Sequence, residues 1–208
     1  MRMRRRKWVA PYLASEKHYL LTSDFILDYD RFKHCYLEVG CGLGDFIIAK
    51  ALAEPDSLFI GYEKDDICAA KVIKKAEELN LNNFYIIIDD ANNLDKWFNK
   101  PIFEGIFLLF SDPWPKKGYY KRRLTYRDFL KKYQMIIKNE GFLYFKTDND
   151  NLYEFSLAEI SASKFKIIEH CFDYHSGHIE KFFTGYERRF IEKQMPIHYI
   201  FSKIEREV

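Results

Sequence analysis

The chain is predicted to fold as an α/β protein, a mostly parallel sheet with helices on both faces and an antiparallel addition at one edge. Three observations predict this. Five short apolar runs, at about 34–39, 58–62, 84–88, 105–110 and 141–146, alternate with helical patterns at about 44–53, 66–80, 126–139 and 150–162. Three successive runs end in acids, which places carboxylates along one edge of the sheet. Near the C-terminus, Phe165–Cys171 and His198–Phe201 read as two further strands joined by loop chemistry (Asp173 to Tyr186) rather than by a helix, so they pair antiparallel. No repeat, low-complexity linker or composition shift divides residues 1–208, and a single domain is expected.

Residues 1–10 form a basic, mobile arm with Arg2, Arg4, Arg5, Arg6 and Lys7, either a solvated tail or a grip on phosphates. Residues 15–30 read as a short helix or ordered lead-in. The first strand, Tyr36-Leu37-Glu38-Val39, runs into a loop with glycine at every second position, Gly40, Gly42 and Gly44. Glycine permits positive φ and close approach of a ligand, and the free N–H groups of the following helix add a positive field. The spacing is G-x-G-x-G, not the G-x-G-x-x-G dinucleotide fingerprint. Such a loop equally suits a tight structural turn, but the acids around it point to a ligand site. Glu38 stands two residues before the first glycine. Glu63 ends the run Leu58-Phe59-Ile60-Gly61-Tyr62, where an acid is placed to accept hydrogen bonds from a ribose diol. Asp89 and Asp90 close the third strand.

The fourth strand, Ile106-Phe107-Leu108-Leu109-Phe110, leads into Ser111-Asp112-Pro113-Trp114-Pro115, then into Lys116, Lys117, Lys121, Arg122 and Arg123. A carboxylate and a rigid aromatic corner at a strand's C-terminal edge is where open α/β sheets hold ligands. A cationic loop straight after it suits a polyanion better than a small metabolite. These five cations are therefore expected to meet nucleic-acid phosphates flanking the site.

The formal charge of +2 says little about partners. An aromatic content of 18% excludes a disordered chain. The four cysteines make no C-x-x-C pair and no zinc-like spacing, so reduced thiols in a cytoplasmic protein are expected. His175 and His178 lie three apart without further ligands, and no metal is expected. No apolar run approaches the roughly 18 residues of a membrane span, and the basic start lacks the apolar stretch of a secretory signal.

Seven separated motifs, L-E-V-G-C-G-L-G, G-Y-E, D-D-A, F-S-D-P-W-P-K-K, K-R-R-L-T, F-K-T-D-N and T-G-Y-E-R-R-F, extend from Tyr36 to Phe190. Through them the chain closely resembles bacterial tRNA (guanine-N7)-methyltransferases. The Gly-rich loop and acidic strand ends are common to all class I methyltransferases, whereas S-D-P-W-P-K-K with a later T-x-Y-E is far more specific. The loop departs from the family's usual Lys-Arg-His in having Lys117-Gly118-Tyr119.

The resemblance implies a doubly wound, Rossmann-like sheet of seven strands with the last antiparallel. It implies methylation by S-adenosylmethionine of N7 on the tRNA variable-loop guanine at position 46. Glu38, Gly40, Gly42, Gly44, Glu63, Asp90 and Asp112 would line the cofactor site, with Asp112 the catalytic residue. Lys116, Asp148 and Thr184-Gly185-Tyr186-Glu187 would contact the RNA. By the residues alone, Asp148 also suits a helix cap, and Thr184–Glu187 beside Arg188 and Arg189 also reads as a solvated turn. No obligatory protein partner is expected, and monomer and homodimer both stay open.

Guanine N7 carries an exposed lone pair and no proton, so attack on a sulfonium methyl needs no strong base. Asp112 could stabilise the positive charge that moves onto the purine, or accept hydrogen bonds from guanine N1–H and its 2-amino group. A guanine held in tertiary pairing must also be exposed first, and Trp114 is placed to receive it. A nicotinamide-dependent oxidoreductase would share the Gly-rich loop and Glu63, but the glycine spacing disfavours it. Methylation of a different RNA, or the role of a non-catalytic RNA-binding subunit, would also use a cationic loop of this kind.

Overall fold

A computed structural model describes residues 6–16, 18–22, 27–176 and 182–205. Arg2, Arg4, Arg5 and His178 lie outside them. The strands are β1 (His34–Val39), β2 (Ser57–Glu63), β3 (Phe84–Ile88), β4 (Phe103–Leu109), β5 (Ile137–Thr147), β6 (Phe165–Cys171) and β7 (His198–Ile204). They form one sheet in the order β3-β2-β1-β4-β5-β7-β6. β7 runs antiparallel to both its neighbours, and the other pairs are parallel. The chain moves outward from β1 through β2 to β3, then returns to place β4 on the other side of β1. This reversal opens a crevice above the C-terminal ends of β1 and β4, the usual ligand position in such sheets.

The helices are α1 (Val9–Ser15), α2 (Asp45–Ala53), α3 (Asp66–Glu78), α4 (Leu94–Trp97), α5 (Arg127–Ile136), α6 (Asp150–Ser161) and α7 (Gly185–Glu192). Strand side chains alternate between faces, and both faces here are apolar. Leu58 and Ile60 join Phe129, Leu130 and Tyr133 of α5. Phe59 between them joins Ile47 and Ala51 of α2 with Val72 and Ile73 of α3. All seven residues of β2 are buried, so it reads as a continuous apolar run, as expected of a strand covered on both faces. No described helix is long and apolar enough to cross a membrane.

Three elements differ from the sequence expectation. The arm gives way to a helix at Val9, earlier than the lead-in expected at 15–30. α1 packs on α3, with Val9 buried, the Lys74 ammonium over Trp8 and Tyr12, and the Tyr12 hydroxyl donating to Glu77. Beyond it, Leu20 bridges in parallel to Ile86 and covers part of the exposed edge of β3. Second, the short helix α4 follows a 3-10 turn at Ala91–Asn93. Third, the stretch read as loop and solvated turn up to Glu187 ends in α7. Thr184 caps that helix by accepting the Glu187 N–H at 2.9 Å. The Thr-x-x-Glu signature of a helix start was available in the sequence.

Candidate active site

The sequence forces an unusual backbone above β1. Gly40, Gly42 and Gly44 all have positive φ. At Gly44, the residue capping α2, a Cβ would lie 2.7 Å from Val72 Cγ1, so glycine is required by φ and by helix packing together. Glu63 fixes this loop from the end of β2. Its Oε2 accepts the Gly42 N–H at 2.9 Å, and its Oε1 accepts the N–H groups of Lys64 and Asp65, each at 2.9 Å. At the end of β3, Asp90 Oδ1 accepts the Asn92 N–H and caps the 3-10 turn. Its neighbour Asp89 also faces the cleft, with its oxygens engaged by local donors. Burial opposes its ionisation, but hydrogen bonds from the Trp97 indole, Asn93 and the Asp90 N–H hold its carboxyl below the usual range.

Beyond β4, Phe110 and Trp114 adopt left-handed φ values of +51° and +43°. Such conformations are costly for bulky residues and persist where the surroundings over-determine them. They bracket Asp112, which is exposed at the rim. The loop is pinned by the Phe110 N–H to the Lys146 carbonyl, and by Arg123 Nε to the Pro113 carbonyl at 2.9 Å. Arg123 also stacks on Phe155 at 4.5 Å. The Trp114 ring has the Arg122 guanidinium at 4.9 Å and the Lys64 ammonium at 5.6 Å.

Two compartments result. The first, about 520 Å³, is lined by Glu63, Asp90, Asp112, Trp114 and Arg122 among others. The second, about 310 Å³, lies over the Gly-rich loop, with Glu38 in its wall and Thr184, Gly185, Tyr186 and Arg189 above. Gly40 and Phe110 line both, so the compartments adjoin across the switch point. Glu38 is buried and its Oε2 has no hydrogen-bond partner among the described residues. Burial, reinforced by Glu63 and Asp45, pushes its carboxyl well above the usual range. A cationic ligand group there would supply the missing donor.

The carboxylates predicted for the cofactor thus come together, from the ends of four strands. The residues predicted for substrate divide. Thr184, Gly185 and Tyr186 line the second compartment, and the Tyr186 hydroxyl donates to Asp148 Oδ2 at 3.3 Å. Asp148 does not cap α6, whose cap is Asn149. Glu187 turns inward, to an ion pair with Lys146 at 2.8 Å. Lys116 lines neither compartment, and Lys117 and Lys121 stand exposed on a 3-10 turn. Sequence reasoning passed over Lys64, whose signal was its place directly after Glu63, and Lys146, which stands within the F-K-T-D-N motif. Among the described residues no group of three His, Cys, Asp or Glu stands where it could hold a metal ion.

A protein-family model described as "Putative methyltransferase" matches residues 33–200. The tRNA (guanine-N(7)-)-methyltransferase of Mycoplasmopsis agalactiae is 48% identical over 173 residues, covering 80% of this chain and 82% of that protein. That of Staphylococcus haemolyticus is 36% identical with both chains covered completely. Among solved structures, an antibiotic-related methyltransferase superposes with a TM-score of 0.63 at 21% identity, covering 87% of this chain and 96% of that one. The 16S rRNA methyltransferase KamB superposes with a TM-score of 0.65 at 13% identity, covering 86% and 91%. At these identities the structural likeness is one of fold. The sequence relationship is closer and spans the Gly-rich loop, all four strand-end carboxylates and the capped helix α7. By that relationship the chain belongs to the tRNA (guanine-N(7)-)-methyltransferase family.

Proposed function

We propose that this protein transfers a methyl group from S-adenosylmethionine to N7 of the tRNA variable-loop guanine at position 46. One observation carries the reading: Glu38, Glu63, Asp90 and Asp112 converge on two adjoining compartments beside a cationic loop. When bound, S-adenosylmethionine supplies an electrophilic methyl on a sulfonium. Glu63 would take the ribose hydroxyls, Asp90 would meet the adenine end, and the Glu38 oxygen without a partner among the described residues would take the methionine ammonium. Asp112 and Trp114 stand where the guanine enters. N7 needs no deprotonation, so catalysis rests on in-line positioning, which contributes about 7–11 kcal/mol at its ideal limit. The reading puts the protein with tRNA in the cytoplasm and calls for no obligatory protein partner.

Incubation with labelled S-adenosylmethionine and total tRNA, followed by nucleoside analysis, tests this. Label in 7-methylguanosine is expected, lost from transcripts in which guanine 46 is replaced. Label in another nucleoside, or none, overturns the reading.

Glu38 gives the site a pH dependence with a definite sign. Its carboxyl is held well above the usual range in the free protein, first by burial. The ligand ammonium favours the ionised form. Binding S-adenosylhomocysteine therefore releases a proton, and affinity rises with pH up to the free-protein pKa. The slope is at most about one log unit per pH unit. Glu38→Gln removes it. Calorimetry in buffers of different ionisation enthalpy counts the protons, and an unchanged slope in the Gln variant rejects the assignment.

The cationic loop divides into two roles. Arg123 is committed to Pro113 and Phe155, whereas Lys121 is exposed and Arg122, though it lies over the Trp114 and Tyr119 rings, is exposed at the rim where it can meet a phosphate. Lys121→Ala/Arg122→Ala is expected to lower the slope of log affinity against log salt by about one to two units. Arg123→Ala is expected to leave that slope alone and to destabilise the fold by about 1–2 kcal/mol. A salt slope that falls equally in both variants contradicts this division.

A further inference from the structure

The helix α7 roofs the second compartment, yet it buries little apolar surface. Glu187 is its one buried residue, and Tyr186 and Ile191 are 44% and 38% exposed. What holds it down is mainly polar. At its start, the Gly185 N–H donates to Asp45 Oδ2 at 3.0 Å. Tyr186 lies 5.2 Å from Phe110 and donates to Asp148. In its first turn, Glu187 Oε1 meets the Lys146 ammonium at 2.8 Å, both side chains being 1% exposed. Lys146 comes from β5 and also sits 3.8 Å over the Tyr174 ring. His175 Nε2 lies 3.2 Å from the same Glu187 oxygen without hydrogen-bond geometry.

A buried ion pair in this position does more than link two elements. An unpaired charge in the interior is strongly unfavourable, so each partner enforces the place of the other. With Glu187 seated on Lys146, the three residues before it, Thr184, Gly185 and Tyr186, lie over the Gly-rich loop, and Arg189 two residues on lies beside them. Glu187 itself does not reach the compartment wall.

We propose that the Lys146–Glu187 pair is the seat on which α7 docks, and that Lys146 is a positioning residue for methyl transfer. Glu187 then acts by placing α7, not by touching RNA. This rests on the methyl-transfer reading for its kinetic arm only.

The test uses Lys146→Met and the double variant Lys146→Met/Glu187→Leu. Because few contacts among the described residues hold α7, loss of Lys146 is relieved by undocking α7 alone. The expected result for Lys146→Met is faster amide exchange in α7 with a melting temperature within about 3 °C of the parent. The rate at saturating tRNA falls about 10–100-fold, the scale of an ångström-sized misplacement. In the double variant an apolar pair replaces the ionic one. Exchange protection in α7 is expected to return, and activity with it.

A double variant with α7 protected but activity still lost overturns the proposal, because Glu187 then contacts substrate. A large drop in melting temperature, with α7 exchanging only together with the core strands, also overturns it. Should the double variant not fold, Glu187→Gln carries the test, since it keeps the shape and an acceptor for Lys146. Activity that tracks α7 protection supports the proposal, and activity lost with protection intact overturns it. The exchange arm needs neither cofactor nor tRNA, so failure of the functional reading would show separately, as a parent protein that does not methylate tRNA.

Discussion

Asp112→Asn is expected to lower the single-turnover rate of methyl transfer by about 100-fold, the scale for losing one preorganised electrostatic contact. Affinity for tRNA is expected to stay within about threefold, as for an interaction made mainly in the transition state. The backbone supports this. Asp112 lies between two left-handed residues, Phe110 and Trp114, on a loop pinned by Arg123 and by the strand carbonyl of Lys146. A loop held in an unfavourable conformation from both sides presents its carboxylate without reorganisation. Methyl transfer moves positive charge from sulfur onto the purine, and a fixed negative charge favours that movement. Asparagine keeps the size and one acceptor oxygen, so it removes the charge more than the geometry. A near-full rate in the Asn variant would reject charge stabilisation and leave Asp112 to orient the guanine through its N1–H and 2-amino group. Pre-steady-state methyl transfer with tRNA in excess over enzyme-bound cofactor measures the step.

The legible parts of this molecule are those decided by short-range physics. β2 and β3 are nearly continuous apolar runs because both faces of the sheet are covered, and their ends fall where Glu63 and the pair Asp89-Asp90 interrupt them. Since strand ends are legible, so is the row of carboxylates at the sheet edge. The hidden parts depend on partners far along the chain. Arg123 looks like its basic neighbours, but its stacking partner Phe155 is 32 residues away on α6. Glu187 belongs to a polar segment that suggests solvent, and its burial follows from Lys146 on a strand 41 residues earlier. α7 carries apolar residues at helical spacing, with Tyr186 against Phe190, but they stay partly exposed and the residue it buries is a carboxylate, so the segment reads as polar and the Thr-x-x-Glu cap is the clearer sequence signal. α1 is masked by the basic run before it, although Val9, Tyr12 and Leu13 have helical spacing and pack toward α3. The choice between Asp148 and Asn149 as the cap of α6 turns on one residue of register, which periodicity does not resolve.

Glu63→Ala is expected to weaken S-adenosylhomocysteine binding by about 1.5–3 kcal/mol, roughly ten- to 150-fold, the range for hydrogen bonds to a charged group. The structure gives Glu63 two ways to produce such a loss. Its carboxylate lines the first compartment, where it can take the ribose hydroxyls. It also accepts three backbone N–H groups, from Gly42, Lys64 and Asp65, and so holds the Gly-rich loop against the start of α3. Truncation removes the ligand contact and frees the loop together, and the affinity of one variant for one ligand does not separate them. A cycle over ligand and protein does, because it isolates the coupling between the two changed groups. A homocysteine analogue lacking both ribose hydroxyls has nothing to offer Glu63 directly. If the carboxylate acts through the ribose, calorimetry will show the analogue binding the parent and the Ala variant alike, each about as weakly as the Ala variant binds S-adenosylhomocysteine. If Glu63 acts through the loop, the substitution will weaken the analogue as much as the natural ligand. The three backbone bonds would then be its contribution, and the ribose assignment would fall.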